Sequence, residues 1–258
     1  MRTSVILNLK GGVAKTATAV NVAAILASDY KQRVLLVDAD SQCNTTEFFG
    51  CDPGYGNLAE VLRQKSGGAT FAVSSIMHTN FPGIDLLAGD DSLMDLDLTK
   101  VETEDVRATV LREMVSILEE HDAYDICLVD CPPAFNAASA AALIAADEVI
   151  IPIKLDAFSL RGMTNLLRQI HNMRAINPKL KLAGCLPTMW YKSKNIEKAE
   201  ATLKASGLPV FPHIRHTHKV DDMTFAQEPL LISSPRSAAG VDYRRFVQAW
   251  MKGGAVNG

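Results

Sequence analysis

Near the start of the chain, the run Lys10-Gly11-Gly12-Val13-Ala14-Lys15-Thr16 puts two ammonium groups, two glycines and a hydroxyl into one short span. Glycines let successive backbone N–H groups turn inward around an anion. A helix beginning at the end of the run adds the positive end of its dipole. The chemistry such a span supports is the cradling of phosphate oxygens by Lys10, Gly11, Gly12, Val13, Ala14, Lys15, Thr16 and Ala17. Lys15 would reach the outer phosphates of a nucleoside triphosphate, and the Thr16 hydroxyl would ligate Mg²⁺. The common loop of this kind reads GxxxxGK[ST]. Here Ala14 precedes the lysine, so the match to that form is partial. The competing account is a plain turn with two solvated lysines, and the strand-like and helix-like runs on either side argue against it.

Carboxylates stand at the ends of two apolar runs. VLLVD closes on Asp38, with Asp40 just beyond it, and ICLVD closes on Asp130. A carboxylate emerging from a buried strand beside phosphates is suited to holding the water shell of Mg²⁺. Asp also favours turns and helix caps, so Asp38 and Asp40 gain weight only in company with the loop. The two prolines after Cys131 stiffen the exit from the strand and forbid an immediate helix.

Apolar periodicity gives the elements that must position these groups. Strands are expected at 4–8, 33–38, 84–87, 125–130, 148–153 and 182–186, with a further one at 209–211. Helices are expected at 16–28, 105–120, 159–177, 195–206 and 238–251. Several strands are apolar without alternation, as parallel strands covered on both faces are. Alternating strand and helix implies an α/β fold: one doubly wound, mostly parallel sheet with helices on both faces. No linker or repeat divides the chain, so one domain over 1–258 is expected. Ligands on such a sheet bind at the carboxyl ends of the strands, where the loop and carboxylates fall.

The run KGGVAKT resembles the deviant Walker A motif, KGGxxK[ST], of the ParA/MinD partition ATPases, a family with the P-loop NTPase fold. That family usually has Gly at the position of Ala14. The resemblance implies that Lys10 reaches across a nucleotide-sandwiched dimer to the partner's phosphates, neutralising charge on the transferred phosphoryl group. Asp38-Ala39-Asp40-Ser41-Gln42-Cys43-Asn44 is similar to the family's D-x-D-P-Q-x-N, with Ser41 in place of the common Pro. It implies Asp38 near the metal and Asp40 orienting the attacking water. Asp130-Cys131-Pro132-Pro133 resembles the family's D-x-P-P, which adds Asp130 to Thr16 and Asp38 around Mg²⁺. LLAGDDSLMDLDL, LPTMWYKSKNIEKA, FPHIRHTHKV and SPRSAAGVDYRRF are similar to later family stretches, so the resemblance covers nearly the whole chain. It places the adenine between the 188–189 and 212–214 stretches, with Met189, Pro212 and Ile214 as candidate contacts.

The resemblance further implies a partition ATPase with ATP and Mg²⁺ as cofactors. An ATP-bound homodimer would hold DNA without sequence preference. A centromere-binding, ParB-like partner would stimulate hydrolysis and release it. Arg215 aligns with a family arginine implicated in DNA contact, and Lys192, Lys194 and Lys219 are further candidates. Only nine residues precede Lys10, so no helix-turn-helix and no operator-specific binding is expected. Two other readings share the fold. One is a MinD-like membrane switch, for which Tyr243, Phe246, Val247, Trp250 and Met251 would form the apolar stripe, flanked by Arg244, Arg245 and Lys252; the same stripe suits a docked helix. The other is a metabolic or metal-cluster ATPase.

Composition is consistent with this picture. The chain has 258 residues, 48% hydrophobic and 21% charged, which excludes disordered, collagen-like and coiled-coil classes. No apolar run is long enough to cross a bilayer, and no signal peptide is recognisable, so a cytoplasmic protein is expected. The five cysteines, at 43, 51, 127, 131 and 185, show neither zinc spacing nor a disulfide framework. His213, His216 and His218 read as an exposed polar turn rather than a zinc site. The net charge of −3 conceals a split: residues 1–158 carry 11 Lys and Arg against 23 Asp and Glu, and residues 159–258 carry 15 against 6. The basic half is where a polyanion would be met.

Overall fold

Strands that are apolar at every position need cover on both sides, and the chain supplies it. The structure is a computed structural model and describes residues 1–96, 98–100 and 106–253. The first half runs β1 (Arg2–Ile6), α1 (Lys15–Asp29), β2 (Val34–Asp38), α2 (Asn44–Phe48), α3 (Leu58–Arg63), α4 (Gly68–Ser74), β3 (Ile76–His78), β4 (Ile84–Leu87) and α5 (Val110–Glu120). The second runs β5 (Ile126–Asp130), α6 (Ala137–Ala145), β6 (Glu148–Lys154), α7 (Ala157–Met173), β7 (Lys181–Thr188), α8 (Lys194–Ala205), α9 (Lys219–Ala226), α10 (Leu230–Ser233) and α11 (Ala238–Met251).

The sheet order is β3-β4-β2-β5-β1-β6-β7, and only β3 runs antiparallel to its neighbour. Successive residues of one strand serve opposite cores. Val5, Leu35 and Val129 pack into one, while Ile6, Leu36 and Leu128 pack into the other. The first core lies under helices that include α3, α5 and α6; the second lies under α1 and α11. β1 is the switch point of the winding. The chain leaves it to one side for β2, and β6 flanks it on the other. The crevice at that point is where the loop after β1 opens.

Several expectations change in detail, among them the helix expected at 159–177, which ends at Met173. The 209–211 segment is not a strand: it lies along β7 through single bonds, Cys185 N–H to Pro209 O at 2.8 Å and Phe211 N–H to Cys185 O at 2.9 Å. Pro209 and Pro212 have no N–H with which to extend that ladder. The helix expected at 105–120 starts at Val110, and residue 105 lies outside the described residues. β3, a short and partly exposed edge strand, was not anticipated.

The terminal helix α11 is docked. Tyr243, Phe246, Val247 and Trp250 are buried against α1 and the sheet. The Trp250 indole N–H donates to Glu148 Oε1 at 2.7 Å, and the Arg2 guanidinium sits 4.5 Å from the ring centroid. No helix among the described residues is long and apolar enough to cross a membrane.

Candidate functional site

The loop after β1 is shaped by its own polar groups. Asn8 donates to Pro152 O at 2.7 Å on β6 and accepts the Lys10 N–H at 3.0 Å, fixing the loop's first turn. Thr188, at the end of β7, donates to Val13 O at 3.0 Å. Gly12 and Ala14 both take left-handed conformations, with φ of 67° and 65°. For Gly12 this is free; for Ala14 the methyl group makes it strained. Thr18 on α1 donates to Ala14 O at 2.7 Å and helps hold that turn.

The two lysines face differently. Lys15 is buried, and its Nζ lies 3.4 Å from Lys10 O, inside the loop. Burial lowers its pKa, while the charges of Asp130 and Asp40 oppose that shift. Lys10 lies on the outer rim and its Nζ meets Asp156 Oδ2 at 2.5 Å, between β6 and α7. Thr16 and Ala17 follow Lys15 in the first turn of α1.

The carboxylates converge because β2 and β5 are paired in register. Asp38 is opposite Asp130 at the carboxyl ends of the two strands. Both are buried. α2, which follows at once, satisfies each of them. Thr46 donates to Asp38 Oδ2 from its N–H and its hydroxyl, each at 2.8 Å, and Thr45 donates to Asp130 Oδ2 at 2.8 Å. The Asp40 N–H reaches Asp38 Oδ1 at 3.2 Å, and Asp40 itself is buried with Oδ1 on the Gln42 N–H. Burial raises the pKa of Asp38 despite its bonds from Thr46. Burial, then the nearby charge of Asp38, raises that of Asp130; Thr16, Thr45 and Lys15 oppose it.

One atom in this cluster has no partner: Asp130 Oδ1 is buried and unbonded. An orphaned carboxylate oxygen beside Thr16 suits a hydrated cation. Among the described residues, no group of three or more His, Cys, Asp or Glu is arranged to hold a metal ion. A Mg²⁺ at this point would therefore draw its other ligands from Thr16, water and phosphate oxygens. His213 is used otherwise: its ring stacks on Trp190 at 4.1 Å, with Nδ1 3.2 Å from Glu200 Oε1.

A cavity behind the loop is lined by Ala14, Thr188, Met189, Ile214 and Thr217. It brings Met189 and Ile214 to the loop. Pro212 lines a separate cavity, with Glu200 and His213. Arg215 is bound to α11: its Nε and Nη2 meet the two Asp242 carboxylate oxygens at 2.7 and 2.9 Å, and its N–H reaches the same group at 3.1 Å. Its side chain remains 41% exposed. Lys192 and Lys194 are exposed at the β7–α8 connection, and Lys219 pairs with Asp222 at 2.9 Å. Thr45, Thr46, Asn8 and Gly89 escape a reading of motifs. Gly89 donates its N–H to Thr46 Oγ1 at 2.9 Å, and a Cβ there would sit 2.9 Å from Asp38 O. The signal for the threonines was their place directly after the Asp38–Asp40 turn.

A glycine-containing loop between a strand and a helix, with acidic groups at the ends of two adjacent strands, defines a P-loop nucleotide-binding site. The comparisons narrow the class. A family described as AAA domain matches residues 1–182. The chain is 33% identical over 204 residues to the chromosome partitioning protein ParA of Caulobacter vibrioides, covering 78% of this chain and 74% of that one. Among solved structures, apo McdA of Cyanothece superposes with a TM-score of 0.83 at 24% identity, covering 97% of this chain and 99% of that one. Cobyrinic acid a,c-diamide synthase of Mycobacterium smegmatis, solved with an ATP analogue and magnesium, gives 0.80 at 28% identity, covering 98% and 94%. The chain belongs to the ParA/MinD family of P-loop ATPases.

Proposed function

We propose that this chain is a ParA-like partition ATPase, a single domain over 1–258 that binds ATP with Mg²⁺ and hydrolyses it slowly. The observation that carries this reading is the opposite facing of the two loop lysines. Lys15 points into the cradle, where it would neutralise the outer phosphates of the chain's own nucleotide. Lys10 lies on the rim, tied to Asp156, where it would swing to a second subunit's phosphates in a sandwich dimer. Gly11, Gly12, Val13, Ala14 and Ala17 would offer backbone N–H groups to the remaining phosphate oxygens. Mg²⁺, held by Thr16, with Asp38 and Asp130 on its water shell, would offset charge on the phosphates. Asp40 would orient the attacking water, its carboxylate fixed by the turn to Gln42. Met189 and Ile214 would contact the adenine.

The ATP-bound dimer would bind DNA through its basic half, without reading sequence, and a ParB-like partner would accelerate hydrolysis to release it. The protein would then be cytoplasmic, and nucleoid-associated when ATP is bound. Arg215, Lys192, Lys194 and Lys219 are the proposed phosphate contacts, with Arg215 also serving as a tie to α11. The docked α11 supports this reading over a membrane switch, because its apolar stripe is already covered. The test is retention on duplex DNA with ATP, with ADP and without nucleotide, at low and high salt, for the natural chain and for Lys15→Ala. Retention should need ATP, fall steeply with salt and vanish in the variant. Equal retention in all nucleotide states would sink the proposal.

A further inference from the structure

Tyr243 of α11 is buried and carries its hydroxyl into the interior, where nothing in the proposed chemistry uses it. A buried hydroxyl without a partner is costly, so the partner it has is informative. Among the described residues that partner is Thr18 Oγ1, at 3.3 Å. The Thr18 hydroxyl has one hydrogen, and it is committed to Ala14 O at 2.7 Å. The Tyr243 O–H is therefore the donor and Thr18 Oγ1 the acceptor. Burial pushes the Tyr243 pKa up to about 12, against the opposing contact with Thr18, so the group stays protonated in neutral solution. A directed line of hydrogen bonds thus runs from the terminal helix through Thr18 to the turn before α1.

That turn has to be held by its carbonyls. α1 opens on Ala14 with no side-chain cap, which leaves the N–H groups of its first turn for an anion. A Ser or Asp at that position would steady the turn but consume one of those donors. Thr188 donates to Val13 O, and Thr18 donates to Ala14 O from its N–H at 3.0 Å as well as from its hydroxyl. Ala14 is left-handed, a conformation an alanine resists, so the hold is under load. A hydroxyl that itself accepts a hydrogen bond donates more strongly, and Tyr243 thereby tightens the bond on Ala14. The two helices concerned also share one buried core, with Ala19, Val22 and Ala23 from α1 and Phe246 and Val247 from α11. Asp242, the residue before Tyr243, holds Arg215 on another wall of the cavity that Ala14, Thr188 and Ile214 line.

We infer that Tyr243 is a positioning residue for nucleotide binding: through Thr18 it holds the Ala14 turn, and with it the first N–H groups of α1, in the shape that receives phosphates. Its hydroxyl acts through Thr18 rather than on the nucleotide. The inference rests on the proposed ATP chemistry only for what the loop holds.

The test compares the natural chain with Tyr243→Phe, which keeps the ring and loses the hydroxyl, with Thr18→Val, which keeps the shape and loses the relay, and with the two combined. Trp250→Phe is the control, since it loosens the far end of the same helix. Amide hydrogen exchange is followed first, without nucleotide. Residues 12–19 should exchange about fivefold faster in Tyr243→Phe, the worth of one ordinary hydrogen bond, and at the natural rate in Trp250→Phe. ATP affinity should fall by about fivefold in Tyr243→Phe, with turnover at saturating ATP within about twofold of the natural chain, because the hydroxyl supports binding rather than the chemical step. The double variant should bind ATP no more weakly than Thr18→Val alone, as two groups acting in series do, and Thr18→Ser should restore binding. Unchanged exchange over 12–19 in Tyr243→Phe overturns the inference, and so does undiminished ATP affinity in that variant. Additive losses in the double variant, or an equal loss in Trp250→Phe, overturn it too, since the effect would then be a general loosening of α11. If no form of the chain binds ATP while exchange over 12–19 still responds to Tyr243→Phe, the ATP reading fails and the hold of Tyr243 on the turn stands.

Discussion

Ala14 holds its backbone at φ 65° between Val13 and the first residue of α1, a conformation that favours glycine. The Val13 and Ala14 carbonyls are both engaged, by Thr188 and Thr18, so the turn cannot relax elsewhere. Ala14→Gly should therefore stabilise the chain by about 1 kcal/mol, less the entropy glycine loses on folding. Urea melts without nucleotide check this, and a lower midpoint in the variant would show that the turn stores no strain. Asp130 presents the opposite case, a carboxyl placed where burial resists its charge. Burial and the neighbouring Asp38 outweigh the help from Thr16, Thr45 and Lys15. Asp130→Asn should raise stability without nucleotide by on the order of 1 kcal/mol while removing the Mg²⁺ dependence of nucleotide binding. Melts and nucleotide titrations with and without chelator give both readouts. A variant that still binds nucleotide in a Mg²⁺-dependent way would take Asp130 out of the metal's surroundings.

At the scale of elements, α11 decides whether the terminal stripe belongs to the core or to a membrane. Trp250 is buried, bonded through its indole to Glu148 and covered by Arg2. Trp250→Ala should lower stability by about 3–5 kcal/mol, the range for emptying a large aromatic site, and Trp250→Phe by less. Chemical denaturation measures both; a neutral Trp250→Ala would mean the helix is not docked in solution. This helix was readable because its signals agree: apolar spacing along 238–251, with Ser237 capping Gly240 N–H at 3.1 Å. α6 was not readable in the same way. Every residue of AASAAALIA is buried, so it has no polar face and no amphipathic period. α2 was missed for another reason. It is too short to show a period, and much of what holds it is tertiary, two threonines bonded to carboxylates on neighbouring strands. The motif residues were legible because a backbone loop and two strand ends impose their own residue types. The side chains that orient them were not, because register and crossover bring them in from elsewhere.

The whole molecule carries its charge unevenly, and residue counts show that much: 15 Lys and Arg against 6 Asp and Glu beyond residue 158. Counts do not show which cations are engaged. Arg215 is bidentate to Asp242, Arg244 meets Asp29 at 3.0 Å, Lys204 meets Glu200 at 2.9 Å and Lys219 meets Asp222. Reversing Arg215 would set two acids together and loosen α11, so lost DNA binding there would not distinguish a contact from a structural tie. Lys192 and Lys194 make no ion pair among the described residues and stand exposed at the carboxyl end of β7. They are the cleaner probe. Each phosphate contact contributes close to one unit to the slope of log affinity against log salt. Lys192→Glu with Lys194→Glu should reduce the magnitude of that slope by about 2 and weaken duplex binding by tenfold or more at low salt. ATP turnover without DNA should be unchanged, since neither side chain approaches the loop's bonding network. Binding isotherms over a salt series, on one duplex and on an unrelated one of equal length, carry the decision. Equal slopes for the variant and the natural chain would move the DNA face away from the β7–α8 connection, and a difference between the two duplexes would mean that sequence is being read after all.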